Sequence, residues 1–388
     1  MKRVLSLLLI LLLLPMGLCP AEENDDVTRK NLDAIMKKYG VPGSQIAIVR
    51  GGEVIFTYNW GVTNRQQDPV TDETYFRTAS ITKMVSAMGV MQLVESGKLE
   101  LDRDLSDYYG FPVGNGRFKK TKVTLRQIMS HTSSLTGEHD FSTSHDIEWQ
   151  LTNKKTYNWE NWEPGTSYMY SNMNGGLLGN LVELVTGQTL NDYMHEHYFD
   201  PLNIDAGFGA NQVRYPELIS ARFNSEGTVH QAVSYLLRED PYKDLTWNPS
   251  YNMTVSVGSL YIHARDLARL VYILCKDGTI EGQRFLSEDT VKLMRQNQGE
   301  IAGSSVKTKR SAYGLNVDIS VDDMTPVKWY GHQGSLSGIY CNAYFCPELD
   351  AVVVFLSNGS RSKKVGSVGA VSRKVMDEAY SYLTEEQE

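Results

Sequence analysis

The chain has 388 residues and a formal net charge of −8. That length allows one large domain or two interleaved ones, because a single core stops growing near about 250–300 residues. The acidic balance leaves no footprint for nucleic acid, and 41% hydrophobic with 22% charged residues describes an ordered soluble protein.

Residues 1–21 read as an export signal, with Lys2 and Arg3 at the charged end, Val4 to Leu14 as the apolar core and a small-residue cleavage site around Cys19-Pro20-Ala21. The core is shorter than the about 20 residues that a bilayer span takes. A periplasmic or extracellular protein is expected. Lipidation of Cys19, the one route to a membrane anchor, is disfavoured by Leu18, which is bulkier than the residue expected before such a cysteine. Glu22 to Thr28 reads as a loose acidic leader.

Arg29 to Tyr39 then reads as a helix with Leu32, Ile35, Met36 and Tyr39 inward, stopped by Gly40 and Pro42-Gly43. Ser44–Arg50 and Glu53–Trp60 are strands joined by Gly51-Gly52, and Asn64 to Asp72 is loop. The apolar run Met84–Val94 is a buried helix ending near Gly97. Short helical pieces follow at Leu101–Tyr109 and Thr124–Met129, then a Ser/Thr-rich loop from His131 to Gly137. Asp140 to Glu163 is polar and aromatic with little periodicity, suited to a lid or wall.

Packed helices are expected at Asn174–Thr186 and Leu190–Tyr198, and an extended excursion with short strands at Phe208–Leu245. His195 and His197, two apart on a helix, share no face and make a poor metal pair. Helices at Asp266–Leu274 and at Ser287–Met294, capped by Ser287, lead to a polar loop at Gly299–Lys309. Strands Tyr313–Ile319, Val327–Tyr330, Gly338–Phe345 and Ala351–Leu356 and a closing helix Val368–Leu383 complete the chain.

The fold class is α/β, one sheet built from both ends of the chain. One domain over 28–385 is expected, with sheet from 28–79 and 275–385 and a mostly helical insertion over 80–274. Three cysteines, Cys275, Cys341 and Cys346, would remain after export, too few for a disulfide scaffold. On a strand, Cys341 and Cys346 stand about 16 Å apart. A disulfide needs Cα atoms about 4.4–6.8 Å apart, so both are expected to be reduced. Asn252 and Asn358 match the glycosylation acceptor pattern.

Chemistry concentrates at Thr78-Ala79-Ser80-Ile81-Thr82-Lys83. Ser80 and Lys83 are three apart, which on a helix gives one face and about 5–6 Å between Cβ atoms. A buried lysine loses hydration, its pKa falls, and the neutral amine can take a hydroxyl proton. Two further stretches belong with it. Tyr170-Ser171-Asn172 follows the turn Trp162-Glu163-Pro164-Gly165, and Gly331-His332-Gln333-Gly334-Ser335 opens a strand near the C-terminus. Gly334 suits a strand that a substrate backbone must approach closely.

Together these resemble the serine beta-lactamase and penicillin-binding-protein superfamily, over roughly Val27 to Tyr382. The matching branch carries Ser-x-x-Lys, Tyr-x-Asn and Lys/His-x-Gly in order, and holds class C beta-lactamases, D-Ala-D-Ala carboxypeptidases, D-aminopeptidases and esterases. Weaker family-like features are His131-Thr132-Ser133 and Gly258-Ser259-Leu260.

The resemblance implies Ser80 as the acylated nucleophile and Lys83 as its proton acceptor. Tyr170 would shuttle the proton to the leaving group, and Asn172 would bind the substrate carbonyl and orient Lys83. His332 stands where class C enzymes have lysine. The backbone N–H groups of Ser80 and Ser335 would form the oxyanion hole. Gln333 replaces the Thr or Ser whose hydroxyl helps bind a carboxylate, which argues against beta-lactams. Ser134 replaces a common glycine in the loop after His-Thr-Ser.

The expectation is a serine hydrolase acting on an amide or ester, a small or cell-wall-derived peptide first. Esterase, beta-lactamase and non-catalytic binding protein follow in that order. No metal or organic cofactor is implied, and the sequence specifies no oligomeric state.

Overall fold

Two groups of apolar strand sequences, one at each end of the chain, pair into the central sheet. The structure is a computed structural model and describes residues 20–136, 147–152, 158–238, 253–301, 312–319, 325–365 and 368–385. From the N-terminal end come β1 (Gly43–Arg50) and β2 (Glu53–Gly61). From the C-terminal end come β3 (Ala312–Tyr313), β4 (Asp318–Ile319), β5 (Tyr330–Leu336), β6 (Ile339–Cys346) and β7 (Ala351–Ser357). They form one seven-stranded antiparallel sheet in the order β3-β4-β5-β6-β7-β1-β2.

Strand β7 (Ala-Val-Val-Val-Phe-Leu-Ser) is buried throughout, as a continuous apolar run requires when both faces are covered. Alternation sorts its side chains. Val353 and Phe355, with Ile46, Ile48 and Tyr344, enter the core under α1 (Pro20–Tyr39) and α5 (Ala370–Glu385). Val352, Val354 and Leu356, with Ala47, Val49, Cys341 and Ala343, enter the larger core on the other face. That larger core holds α2 (Ile81–Glu95), α3 (Asn172–Thr186) and α4 (Ala264–Cys275). Leu267, Leu270, Val271 and Leu274 of α4 are all fully buried there, on the face the periodicity picked out.

Helix α2 has no polar face because only Gln92, Val94 and Glu95 reach the surface. Its composition is that of a helix wrapped on every side.

Several expectations change. Glu22 to Thr28 is not a loose leader: α1 runs unbroken from Pro20. Its polar sequence is ordered by partners elsewhere in the chain. Asp25 Oδ1 accepts the Tyr382 hydroxyl at 2.8 Å, Asn31 donates to Glu378 at 2.9 Å, and the Arg29 guanidinium sits 4.7 Å from the Phe56 ring centroid. Helix stability of that kind comes from packing, not propensity.

Tyr313–Ile319 is two short strands, since Asn316 takes φ +54 and turns the chain back on itself. The strand expected at Val327–Tyr330 begins only at Tyr330 and runs through the Gly331–Ser335 motif. Helix Leu190–Tyr198 is α-helical to Met194 and then widens into a π-helical turn, His195–Phe199. Ile147–Thr152 is helical within the stretch read as irregular, while residues 137–146 and 153–157 lie outside the described residues. So do Met1 to Cys19 of the expected export signal, and Asn252. Asn358 is no glycosylation acceptor. It is buried, and its amide donates to the Val62 carbonyl at 2.8 Å and to Ser220 Oγ at 2.9 Å.

Cys275, Cys341 and Cys346 are free and buried, with Cys341 and Cys346 on opposite faces of β6. Dithiothreitol should therefore leave the melting temperature unchanged. On protein prepared without residues 1–21, alkylation after unfolding without reductant should add three labels by intact mass; a protein that takes one label and carries a Cys341–Cys346 crosslink would contradict this strand.

Candidate active site

Ala79 is bent into the left-handed region, φ +49, at a cost of about 1–2 kcal/mol for a residue with a Cβ. That bend turns the chain from the short strand Phe76–Arg77 into α2 and leaves Ser80 at the helix N-cap. Ser80 already has helical dihedrals, φ −64 and ψ −8, and its carbonyl accepts the Lys83 N–H at 3.1 Å. The three-residue spacing therefore places both side chains on one side of the first turn. Lys83 Nζ stands 3.1 Å from Ser80 Oγ and donates to the Val257 carbonyl at 2.7 Å.

Lys83 is fully buried, and loss of hydration brings its pKa down from 10.5 to about 7. An amine in that state is half deprotonated at neutral pH. It can accept the Ser80 proton as the hydroxyl attacks a carbonyl.

Helix α3 makes the wall against which the lysine lies. A Cβ on Gly175 would stand 2.4 Å from Lys83 Cε, and one on Gly176 would stand 2.4 Å from the Met253 carbonyl oxygen. Ser256 Oγ reaches into the same gap and donates to the Gly175 carbonyl at 2.7 Å. Sequence reasoning passed over Gly175. The available signal was a glycine pair inside a helix, where each costs about 1 kcal/mol relative to alanine.

Tyr170 is half-buried ahead of α3, and its ring centroid lies 5.3 Å from Lys83 Nζ. The His332 ring is 6.1 Å from it. His332 Nδ1 lies 2.6 Å from the Gln333 carbonyl. A carbonyl only accepts, so Nδ1 carries the proton, which leaves Nε2 as the acceptor in the neutral ring. Tyr313 packs beside it at 6.5 Å and Tyr168 stands 5.6 Å from Tyr313, forming an aromatic flank that the sequence did not reveal.

Strand β5 closes the other side. His332 and Gly334 pair with Ala343 and Cys341 and share the face turned to α2. A Cβ on Gly334 would meet the Thr78 carbonyl at 2.2 Å and Ala79 Cβ at 3.3 Å. The close approach that requires glycine is thus made by the protein's own backbone. Ser80 and Ser335 each follow a member of that Ala79–Gly334 contact. The side chains of Gln333 and Ser335 leave from the opposite face, with Asn342, whose amide reaches Met376 Sδ on α5 at 3.4 Å. Asn172 is exposed at the first position of α3, and among the described residues Lys83 Nζ donates to Ser80 Oγ and the Val257 carbonyl rather than to it.

Ser80, Lys83, Tyr170 and His332 thus converge from three separate parts of the chain. The beta-lactamase family model matches residues 28–374, a span that contains all four. The chain belongs to the beta-lactamase family. Penicillin-binding protein 4 of Amycolatopsis lactamdurans is 28% identical over 338 residues, 85% of this chain and 84% of its own length. Two solved structures share the fold. The D-amino acid amidase of Ochrobactrum anthropi SV3, complexed with L-phenylalanine, has a TM-score of 0.72 and 19% identity over 94% of this chain and 100% of its own. EstCE1, described as a hydrolase with promiscuous acyltransferase activity, has a TM-score of 0.69 and 20% identity over 92% and 99%. The fold is that of beta-lactamases, penicillin-binding proteins, esterases and amidohydrolases alike.

Within this beta-lactamase fold, Gly175→Ala should leave the far-ultraviolet spectrum intact while pushing the Lys83 chain aside. A misplacement near 1 Å costs on the order of 10²-fold, and the rate of Ser80 labelling by a fluorophosphonate reads that loss. Gly176→Ala, which meets backbone instead, should lower the melting temperature. Full labelling of Gly175→Ala would show that Lys83 does not depend on that gap.

Proposed function

We propose that this chain is an exported serine hydrolase that forms an acyl-enzyme on Ser80 from an amide or ester, with small peptides as the first substrate class. The observation that carries the reading is the 3.1 Å contact between Ser80 Oγ and the buried amine of Lys83. In the proposed reaction Lys83 takes the Ser80 proton while Oγ bonds to the substrate carbonyl carbon. The backbone N–H groups of Ser80 and Ser335 hold the resulting oxyanion. Tyr170, between Lys83 and His332, passes the proton to the departing amine or alcohol, and later draws one from the water that releases the acyl group.

The substrate class follows from charge. Lys83 is about half neutral near pH 7, and histidine stands where a lysine would otherwise bring a permanent positive charge. Gln333, pointing away from the α2 face, adds none. Uncharged amides and esters suit such a site better than the carboxylate of a penicillin. The relatives do not rank these substrates: one is named a penicillin-binding protein, one a D-amino acid amidase and one a hydrolase with acyltransferase activity.

Intact mass after incubation with a fluorophosphonate should show one adduct on the wild type and none on Ser80→Ala, with the melting temperature nearly unchanged. An adduct that persists in Ser80→Ala would remove Ser80 as the nucleophile. With substrates in hand, kcat/KM for a p-nitrophenyl ester and a D-amino-acid p-nitroanilide should exceed that for a chromogenic cephalosporin; the reverse order would overturn the substrate class.

The pH profile tests the base. Lys83 must be deprotonated to accept the proton, so acylation should be weak in acid and rise through about pH 7. An acid limb centred near pH 5 would point to a carboxylate instead.

A further inference from the structure

His131 reaches the site from behind and has no role in the scheme above. It is fully buried and holds φ +57, a conformation that strains any residue with a Cβ. Its carbonyl accepts the Met169 N–H at 3.0 Å, and its ring Nδ1 accepts the Ser171 N–H at 3.2 Å. These two bonds bracket Tyr170, one on each side of it in the chain. The imidazole itself packs on the Tyr170 ring, with centroids 4.5 Å apart.

The bonds also fix the tautomer. A backbone N–H only donates, so Nδ1 carries no proton and the ring is protonated at Nε2. Asn174 supports that state. Its Oδ1 accepts from Ser133 Oγ at 2.7 Å, which turns its amide nitrogen toward His131 Nδ1 at 3.2 Å.

We propose that His131 is a positioning residue for Tyr170, holding the backbone on both sides of the tyrosine and one face of its ring so that the hydroxyl stays in register with Lys83 and Ser80. The inference rests on the reading of Tyr170 as the proton carrier. The carbonyl bond to Met169 is one any residue at this position could make, but the Ser171 bond and the Tyr170 ring contact belong to the imidazole, and a histidine that served packing alone would need neither. The strained φ is the cost of presenting carbonyl and ring to the same segment.

The test compares single-turnover acylation and steady-state kinetics for wild type, His131→Leu, His131→Asn, Tyr170→Phe and the two double variants. His131→Leu removes the acceptor and should lower kcat on the order of 10²-fold, the effect of a misplacement near 1 Å, with KM nearly unchanged. His131→Asn offers a carbonyl oxygen near the place of Nδ1 and tolerates the left-handed backbone. It should stay within about tenfold of wild type, well above the loss of a positioned acid–base group.

In the Tyr170→Phe background, His131→Leu should cost almost nothing more, because residues that act through one another are not additive. Equal losses in both backgrounds, or His131→Asn falling as far as His131→Leu, would overturn the proposal. Should His131→Leu fail to fold, His131→Asn decides alone: retained activity supports the role, and a large loss that persists beside Tyr170→Phe refutes it. Tyr170→Phe with wild-type activity would instead overturn the proton-carrier reading, and the positioning role with it.

Discussion

The burial of one amine organises this protein. Lys83 gives up its water to lie between α2, α3 and the Val257 carbonyl, and its pKa falls to about 7 as a result. The unfolded chain holds its proton to about pH 10.5, so between those values the folded state binds fewer protons and gains stability as pH rises. Below about pH 7 the charged amine is buried at a penalty on the order of 5 kcal/mol. The large apolar core formed around α2 meets that cost.

Such a lysine needs walls that fit its chain closely, and the walls come from distant sequence. Glycines 175, 176 and 179 make α3 thin enough for the Lys83 stem, the Met253 carbonyl and Ser256 to lie against it. Gly334 does the same on the sheet side, letting β5 touch the Thr78–Ala79 backbone. The bend at Ala79 then delivers Ser80 into the junction between sheet and helices. Each of these contacts is short because a side-chain atom is missing, so volume sets how closely these segments approach.

Much of this was legible in advance where a pattern is local. The buried character of α2, the apolar face of α4, the hairpin at Gly51-Gly52 and the reduced cysteines all follow from periodicity, composition or reach. Legibility failed where order comes from a partner far along the chain. The polar run Glu22–Thr28 looks loose by itself, yet Tyr382 and Glu378 at the other end of the chain hold it and Asn31 in one helix. Asn358 looks like an exposed acceptor for sugar, yet its amide is consumed inside the protein.

Local spacing is enough to bring Ser80 and Lys83 together, because three residues on one helical turn leave them little choice but to meet. The sequence's motif order also carried the family. Tertiary structure alone decided what surrounds that pair. Gly334 is glycine to clear Thr78, Gly175 to clear Lys83, and His131 bonds both neighbours of Tyr170. Those are contacts between segments tens to hundreds of residues apart, and no local spacing encodes them. They exist only once the sheet has closed on the helices.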